Sequence, residues 1–311
     1  MIEQQLVNGL VLGCIYAMLA LGFSMVFGIL RLINFAHGEV FMIGAMISIT
    51  VLNLLLAKTG QPVSLVVAGV LLLVTTVAAG LSCGLLGIAL ERVAYRPLRR
   101  APVLAPLISA IAASIFLQNV AMLVWGRQYI AFPAILPTGG IQIGEAAISW
   151  PGVLIVIVAP LLMVALNQFM KRTTIGKSMR ATSEDLEVAA YMGIDTDRVI
   201  VSAFFVGSVL AGVAGTLVSL YIGATNYFIG FFAIMKAFAA AVLGGVGNLT
   251  GAVLGGLLLG LIESFAIGFL PDLTWGFMGT QYKDIFAFIV LVVFLIFRPS
   301  GLLGEQASER A

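Results

Sequence analysis

The chain has 311 residues, 61% of them hydrophobic and 10% charged, with a formal net charge of +2. Soluble domains carry about 25% charged residues, so a water-soluble fold would lack the charge to cover its surface, and an all-α polytopic membrane protein is close to forced. The near-neutral balance leaves no electrostatic footprint for nucleic acid.

A membrane span needs about 20 mostly apolar residues. On that measure spans are predicted near 6–29, 40–57, 64–89, 103–125, 151–170, 200–222, 230–246, 250–270 and 282–297. That is about nine, within a range of eight to ten, at least one of them discontinuous. Segment 230–246 either crosses the bilayer or re-enters it. The first run opens on Glu3 rather than a basic cluster and is too long for the core of a secretory signal, so it reads as a span. Cys14 and Cys83 both fall in apolar runs and read as inert buried thiols. No metal-ligand spacing occurs, and the only histidine is His37.

A polar break, Arg31, Asn34, His37 and Glu39, separates the first two spans. Asn34 and His37 lie one helical turn apart, with Gly38 able to break the helix. The break is either a cytoplasmic turn or a segment folded back as a discontinuous helix, where transporters place polar groups near substrate. His37 is accordingly either a hydrogen-bonded structural residue or a proton-coupling group. The exterior segment 126–150 carries Pro133, Pro137 and the Gly139–Gly140 pair, which argue against a continuous helix. Trp125, Tyr129 and Trp150 suit a membrane interface. The segment is either a connector or a ledge for an extracytoplasmic partner.

Ten of the thirty charged residues fall between Lys171 and Arg198. Within that stretch a short helix is predicted over 183–192. Thr182 or Ser183 suits its N-cap, and Glu184, Asp185 and Glu187 complement the helix dipole in its first turn. Leu186, Ala189 and Ala190 share one face, and Gly193 stops the helix. A lipid-anchoring helix is normally basic on its polar face. This one is acidic, which favours a protein partner with a basic or mixed groove.

Further along, Gly247/Gly251/Gly255 and Gly256/Gly260 form small-xxx-small patterns that let helix backbones approach closely. Lys236 and Glu263 fall inside predicted spans at similar depths, about 9 and about 12 Å from the outer end. They are predicted to pair, either as part of a pathway or as a structural ion pair. Threading nine spans puts twelve Lys and Arg on one side and three on the other, so the N-terminus is placed outside and the C-terminus inside. Segments 6–57 and 200–246 share a pattern of long span, polar break and shorter span, which suggests an internal repeat.

Four segments carry a family resemblance: NGLVLGCIYAMLALGFSMVFGILRLINFAHGEVFMIGA (8–45), GKSMRATSEDLEVAAYMGID (176–195), MKAFAAAVLGGVGNLTGAVLGGLLLGLIE (235–263) and FRPSGLLG (297–304). In order and spacing the chain resembles the H-type permease subunit of the branched-chain amino acid ABC importer family. The segments cover about a third of its length. Glu-Val-Ala-Ala (187–190) only approximates the usual Glu-Ala-Ala of the ABC importer coupling loop. The resemblance implies one transmembrane permease domain over 1–311 in a bacterial inner membrane, with a cytoplasmic coupling loop within 171–198. It implies a sister permease, two cytoplasmic ABC ATPase subunits and a periplasmic binding protein as partners.

Ser183, Glu184, Asp185, Glu187, Ala189, Ala190 and Gly193 would contact the ATPase. Asn34, His37, Glu39, Lys236 and Glu263 are the polar candidates for the pathway. No catalytic residue, metal or cofactor is expected on this chain, because ATP would be bound by the partners: no Gly-x-x-x-x-Gly-Lys-Ser/Thr occurs. Related permeases carry urea, short amides or small carboxylates, so cargo within the family stays open. A self-contained secondary transporter coupled through Lys236, Glu263 and His37 is the competing reading. An integral membrane enzyme is disfavoured by the lack of a nucleophile–base arrangement.

Overall fold

The computed structural model describes residues 1–59, 64–99, 101–102, 104–275 and 282–304. Arg100 and Arg310, two of the basic residues counted for orientation, and the first residue of the predicted fourth span lie outside the described residues. The chain is helical almost throughout. The helices are α1 (Ile2–Leu30), α2 (Ala36–Thr59), α3 (Leu65–Leu90), α4 (Leu104–Trp125), α5 (Trp150–Arg172), α6 (Thr174–Glu184), α7 (Leu186–Tyr191), α8 (Thr196–Ile222), α9 (Ile229–Gly244), α10 (Leu249–Leu273) and α11 (Lys283–Phe297). Helix α3 runs on through one π turn (Glu91–Tyr95) and one 3-10 turn (Arg96–Leu98).

Among the described residues, seven helices are long and apolar enough to cross a membrane: α1, α2, α3 with its extension, α4, α5, α8 and α10. Helices α9 and α11 have 16 and 15 residues. At 1.5 Å per residue these reach about 24 and 22 Å, less than the roughly 30 Å of a hydrocarbon core. The all-α polytopic class is therefore correct, while the count of nine is not met by span-length helices.

The chain forms two compact units. The first comprises Met1–Ser24, Gly139–Met163 and Met235–Ala311. Here the early turns of α1 run along α10 at backbone contact. A Cβ on Gly13 would lie 2.8 Å from the Leu257 Cα, and one on Gly256 or Gly260 would strike the backbone of Ala17 or Gly13. Small residues thus serve the close packing read from the sequence, with one exception. Gly247 takes φ +87° in the turn between α9 and α10, where Asn248 caps α10 by accepting from the Gly251 amide at 3.0 Å. Part of segment 126–150 folds as a hairpin, β2 (Gly140–Ile143) with β3 (Ala146–Ser149), antiparallel. Gln4 pins it, its side-chain oxygen accepting from Ala147 N at 2.8 Å and its nitrogen donating to Ala147 O at 2.9 Å.

The second unit comprises Met25–Thr138 and Val164–Ile234. Helices α2, α3 and α8 pack together with α4 on α2. A Cβ on Gly44 would fall 2.6 Å from the Gly212 Cα, and the Cys83 thiol donates to Val40 O at 3.3 Å. Both cysteines are buried and unoxidised. Two short strands, β1 (Ile130–Ala131) and β4 (Ala224–Thr225), pair antiparallel. The break before α2 begins with Arg31 in the left-handed region, φ +55°. Helix α8 ends the same way on Gly223, φ +78°, ahead of the break before α9.

Because backbones meet at these glycines, an added side chain cannot be absorbed by rotamer changes alone. Gly256→Val is expected to lower stability by at least about 1–3 kcal/mol in thermal unfolding of the detergent-solubilised protein. Gly69→Val, where a Cβ meets nothing within 4 Å, should change it by less than about 0.5 kcal/mol.

Candidate functional site

The charges that sequence reading placed inside spans meet in the first unit. Lys236 on α9 donates to both carboxylate oxygens of Glu263 on α10 at 2.8 Å. The pairing read from the sequence is thus present, and the structure adds three groups to it. Tyr16 on α1 donates its hydroxyl to Glu263 Oε2 at 2.6 Å and accepts from Lys236 at 2.8 Å. At the start of α11, Asp284 lies 2.9 Å from the Lys236 ammonium and Lys283 lies 3.2 Å from Glu263 Oε1. Glu263 is 1% exposed.

The cluster holds two positive and two negative charges, and each buried charge has an opposite partner. That is the condition under which ionic groups survive away from water. Lys283, inside the predicted span 282–297, is part of it. Lys283 and Asp284 stand at the head of a wholly apolar run, where sequence alone does not show that they reach inward. Tyr16, a lone hydroxyl in an unbroken apolar stretch, gave none.

The break residues lie in the second unit and are buried: Asn34, His37 and Glu39. Such burial does not fit a turn exposed to solvent. Tyr95, in the π turn after α3, donates to Asn34 Oδ1 at 2.6 Å. Gly38 does not break a helix here. The unwound residues are 31–35, and Gly38 sits inside the first turn of α2, where a Cβ would strike Gly230. Glu39 accepts from the Ser114 hydroxyl at 3.3 Å.

The polar stretch holds two helices rather than one. Helix α6 starts on the Thr173 cap and runs through Glu184. Thr182 and Ser183 therefore lie in its last turns, donating back to Ser178 O and Arg180 O, and neither is an N-cap. Asp185 is the cap instead. Its backbone is extended, and its carboxylate accepts from the Glu187 and Val188 amides at 2.9 Å each. A carboxylate reaches those amides as well as a hydroxyl does and adds charge at the positive helix end.

Helix α7 spans only Leu186–Tyr191, and Gly193 follows its end with φ +86°. Ala189 is buried, while Ala190 is exposed and Leu186 largely so. The face turned to solvent carries Val188, Tyr191 and Met192, the last two 86% and 79% exposed, beside Glu184 and Glu187. Behind it, Asp197 at the head of α8 pairs with Arg96 at 2.7 Å and with Arg99 at 2.5 Å. Arg99 also pairs with the fully buried Glu91. This network joins the polar stretch to the end of α3.

The family described as "Branched-chain amino acid transport system / permease component" matches residues 5–295, which include the charge cluster, the buried break and the polar stretch. The chain belongs to this family. It is 43% identical to the high-affinity branched-chain amino acid transport system permease protein BraD of Pseudomonas aeruginosa, over 99% of this chain and 97% of that one. It is 40% identical to the corresponding permease protein LivH of Escherichia coli K12, with the same coverage. A probable branched-chain amino acid transport permease protein of Methanocaldococcus jannaschii is 26% identical over 97% of this chain and 93% of its own. No solved structure matches. The alignments with the bacterial relatives cover nearly the whole chain.

Breaking one half of a buried ion pair strands its partner. Glu263→Leu leaves two lysines facing Asp284 alone and is expected to cost about 3–5 kcal/mol, read as a fall in thermal unfolding temperature in detergent. Replacing Lys236 as well, as Lys236→Met/Glu263→Leu, should recover part of that loss.

Proposed function

We propose that this chain is the membrane permease subunit of an ATP-driven importer for branched-chain or closely related small amino acids. It would form half of the pathway beside a sister permease, take cargo from a periplasmic binding protein and be driven by two cytoplasmic ABC ATPases. The observation that carries this reading is the α6–α7 element. Ten charges within 171–198 make hydrocarbon burial too costly, so the element stands outside the bilayer. There it presents Val188, Tyr191 and Met192 to water, ringed by acidic side chains. Exposed apolar groups rimmed by polar ones mark a protein contact. With no nucleotide-binding motif in the sequence, ATP-driven work would have to be delivered by another polypeptide.

A partner gripping α7 would pull on a short, rigid path. Asp185 locks the α6–α7 joint, and Asp195 caps α8 by accepting from the Arg198 amide at 3.1 Å. From there the Asp197–Arg99–Glu91 chain of ion pairs leads to α3. The twelve-to-three bias of Lys and Arg supports placing this element in the cytoplasm, with the hairpin β2–β3 on the periplasmic side. The competing ion-coupled transporter is less well supported, since Lys236 and Glu263 are held within a neutral cluster rather than free to exchange ions. The chain itself would have no enzymatic role and no bound cofactor.

Tyr191→Asp puts a charge at the centre of the exposed apolar face while leaving the fold of α7 intact. Copurification with the ATPase subunits is expected to fall at least tenfold, with membrane insertion unchanged. Undiminished copurification would count against α7 as the docking point. Asp185→Ala should cost about 1 kcal/mol of local helix stability and lower coupled ATP hydrolysis by a smaller factor.

A further inference from the structure

Glu39 is the one acidic residue of the second unit's buried breaks whose charge the structure leaves open. It sits in the first turn of α2 and is 1% exposed. Its Oε1 accepts one long hydrogen bond, 3.3 Å from Ser114 Oγ. Among the described residues its Oε2 has no hydrogen-bond partner, and no lysine or arginine forms an ion pair with it. Glu263, equally buried, has two lysines. The contrast is the anomaly, because a carboxylate in apolar surroundings with nothing to balance it is costly and by default functional.

Its position is specific. Ser114 is the eleventh of the 22 residues of α4, so the carboxylate lies at mid-height of a span-length helix. Two interrupted helices converge there, α2 after the break at 31–35 and α9 after the break at 223–228. Glu39 Oε2 faces Gly230, the second residue of α9, where a Cβ would come within 2.6 Å of it. The positive end of the α9 dipole lies at the same carboxylate and complements a negative charge. One carboxylate and one hydroxyl are too few oxygens to hold a divalent cation. They suit a compact monovalent group that brings several N–H donors.

We propose that Glu39 Oε2 is the subsite that receives the α-ammonium group of an amino acid in transit. The inference rests on the amino-acid permease reading above. One ammonium proton meets Oε2, neutralises the buried charge and leaves the aliphatic side chain among apolar neighbours such as Ile234. In this conformation the subsite is sealed, because Gly38 and Gly230 are in backbone contact beside it. It opens when α2 and α9 part, and cargo is held there only within the transport cycle.

The test uses the full complex of both permeases and both ATPases with its binding protein, trapped with vanadate in the presence of carbon-14 leucine. The wild-type complex is expected to retain label. Glu39→Gln, the same shape without the charge, should retain at least tenfold less while copurifying normally with its partners. Glu39→Asp, which keeps the carboxylate, should retain an intermediate amount. Wild-type retention by an assembled Glu39→Gln complex would overturn the subsite and leave the permease reading standing.

If Glu39→Gln does not assemble, the wild-type complex decides. Modification of Glu39 by dicyclohexylcarbodiimide, read by mass spectrometry, should drop when leucine is trapped. Unchanged labelling overturns the inference. A wild-type complex that neither retains nor transports any branched-chain amino acid removes the permease reading itself, and the subsite falls with it.

Discussion

A charge surrounded by hydrocarbon must be neutralised, and that requirement organises this chain more than any other. Only thirty of the 311 residues are charged. The first unit satisfies the requirement internally, gathering Lys236, Glu263, Lys283 and Asp284 around the Tyr16 hydroxyl. In the proposed arrangement the polar stretch satisfies it by standing outside the bilayer. Glu39 satisfies it in neither way, which is why it stands out from residues of equal burial.

Packing follows from the same constraint. Lipid tails are as apolar as the helices, so association gains little from burying apolar surface and relies on close contact. The glycines at 13, 44, 212, 256 and 260 bring backbones together within each unit. Within the breaks Asn34 and Thr225 are buried, as unwound backbone in a membrane requires protein rather than lipid around it.

The sequence made much of this legible and obscured the rest for identifiable reasons. Lys236 and Glu263 were readable as a pair because charges inside apolar runs are rare and both sat at matching depth. Lys283 and Asp284 were not, because a charge at the end of a run looks the same whether it caps a loop or reaches inward. Gly38 was misread as a helix breaker. Its lack of a side chain serves contact with Gly230, and contact with a distant residue leaves no local trace in the sequence. Asp185 was placed one turn too deep because Thr182, Ser183 and Asp185 are all good caps. The choice fell to Asp185 only because α6 extends through Glu184 and claims the other two. Helix number was the least legible feature, since 15 or 16 apolar residues do not say whether a segment crosses.

The central claim is that this chain moves solute only with work delivered from outside it, through the small acidic element between α5 and α8. The direct measurement is uphill uptake of labelled leucine into proteoliposomes, with binding protein supplied in the external solution. Vesicles holding this chain and its sister permease alone are compared with vesicles that also contain the ATPases and ATP. The account predicts accumulation above the external concentration only in the second set. Accumulation by the permeases alone, driven by an ion gradient, would contradict it.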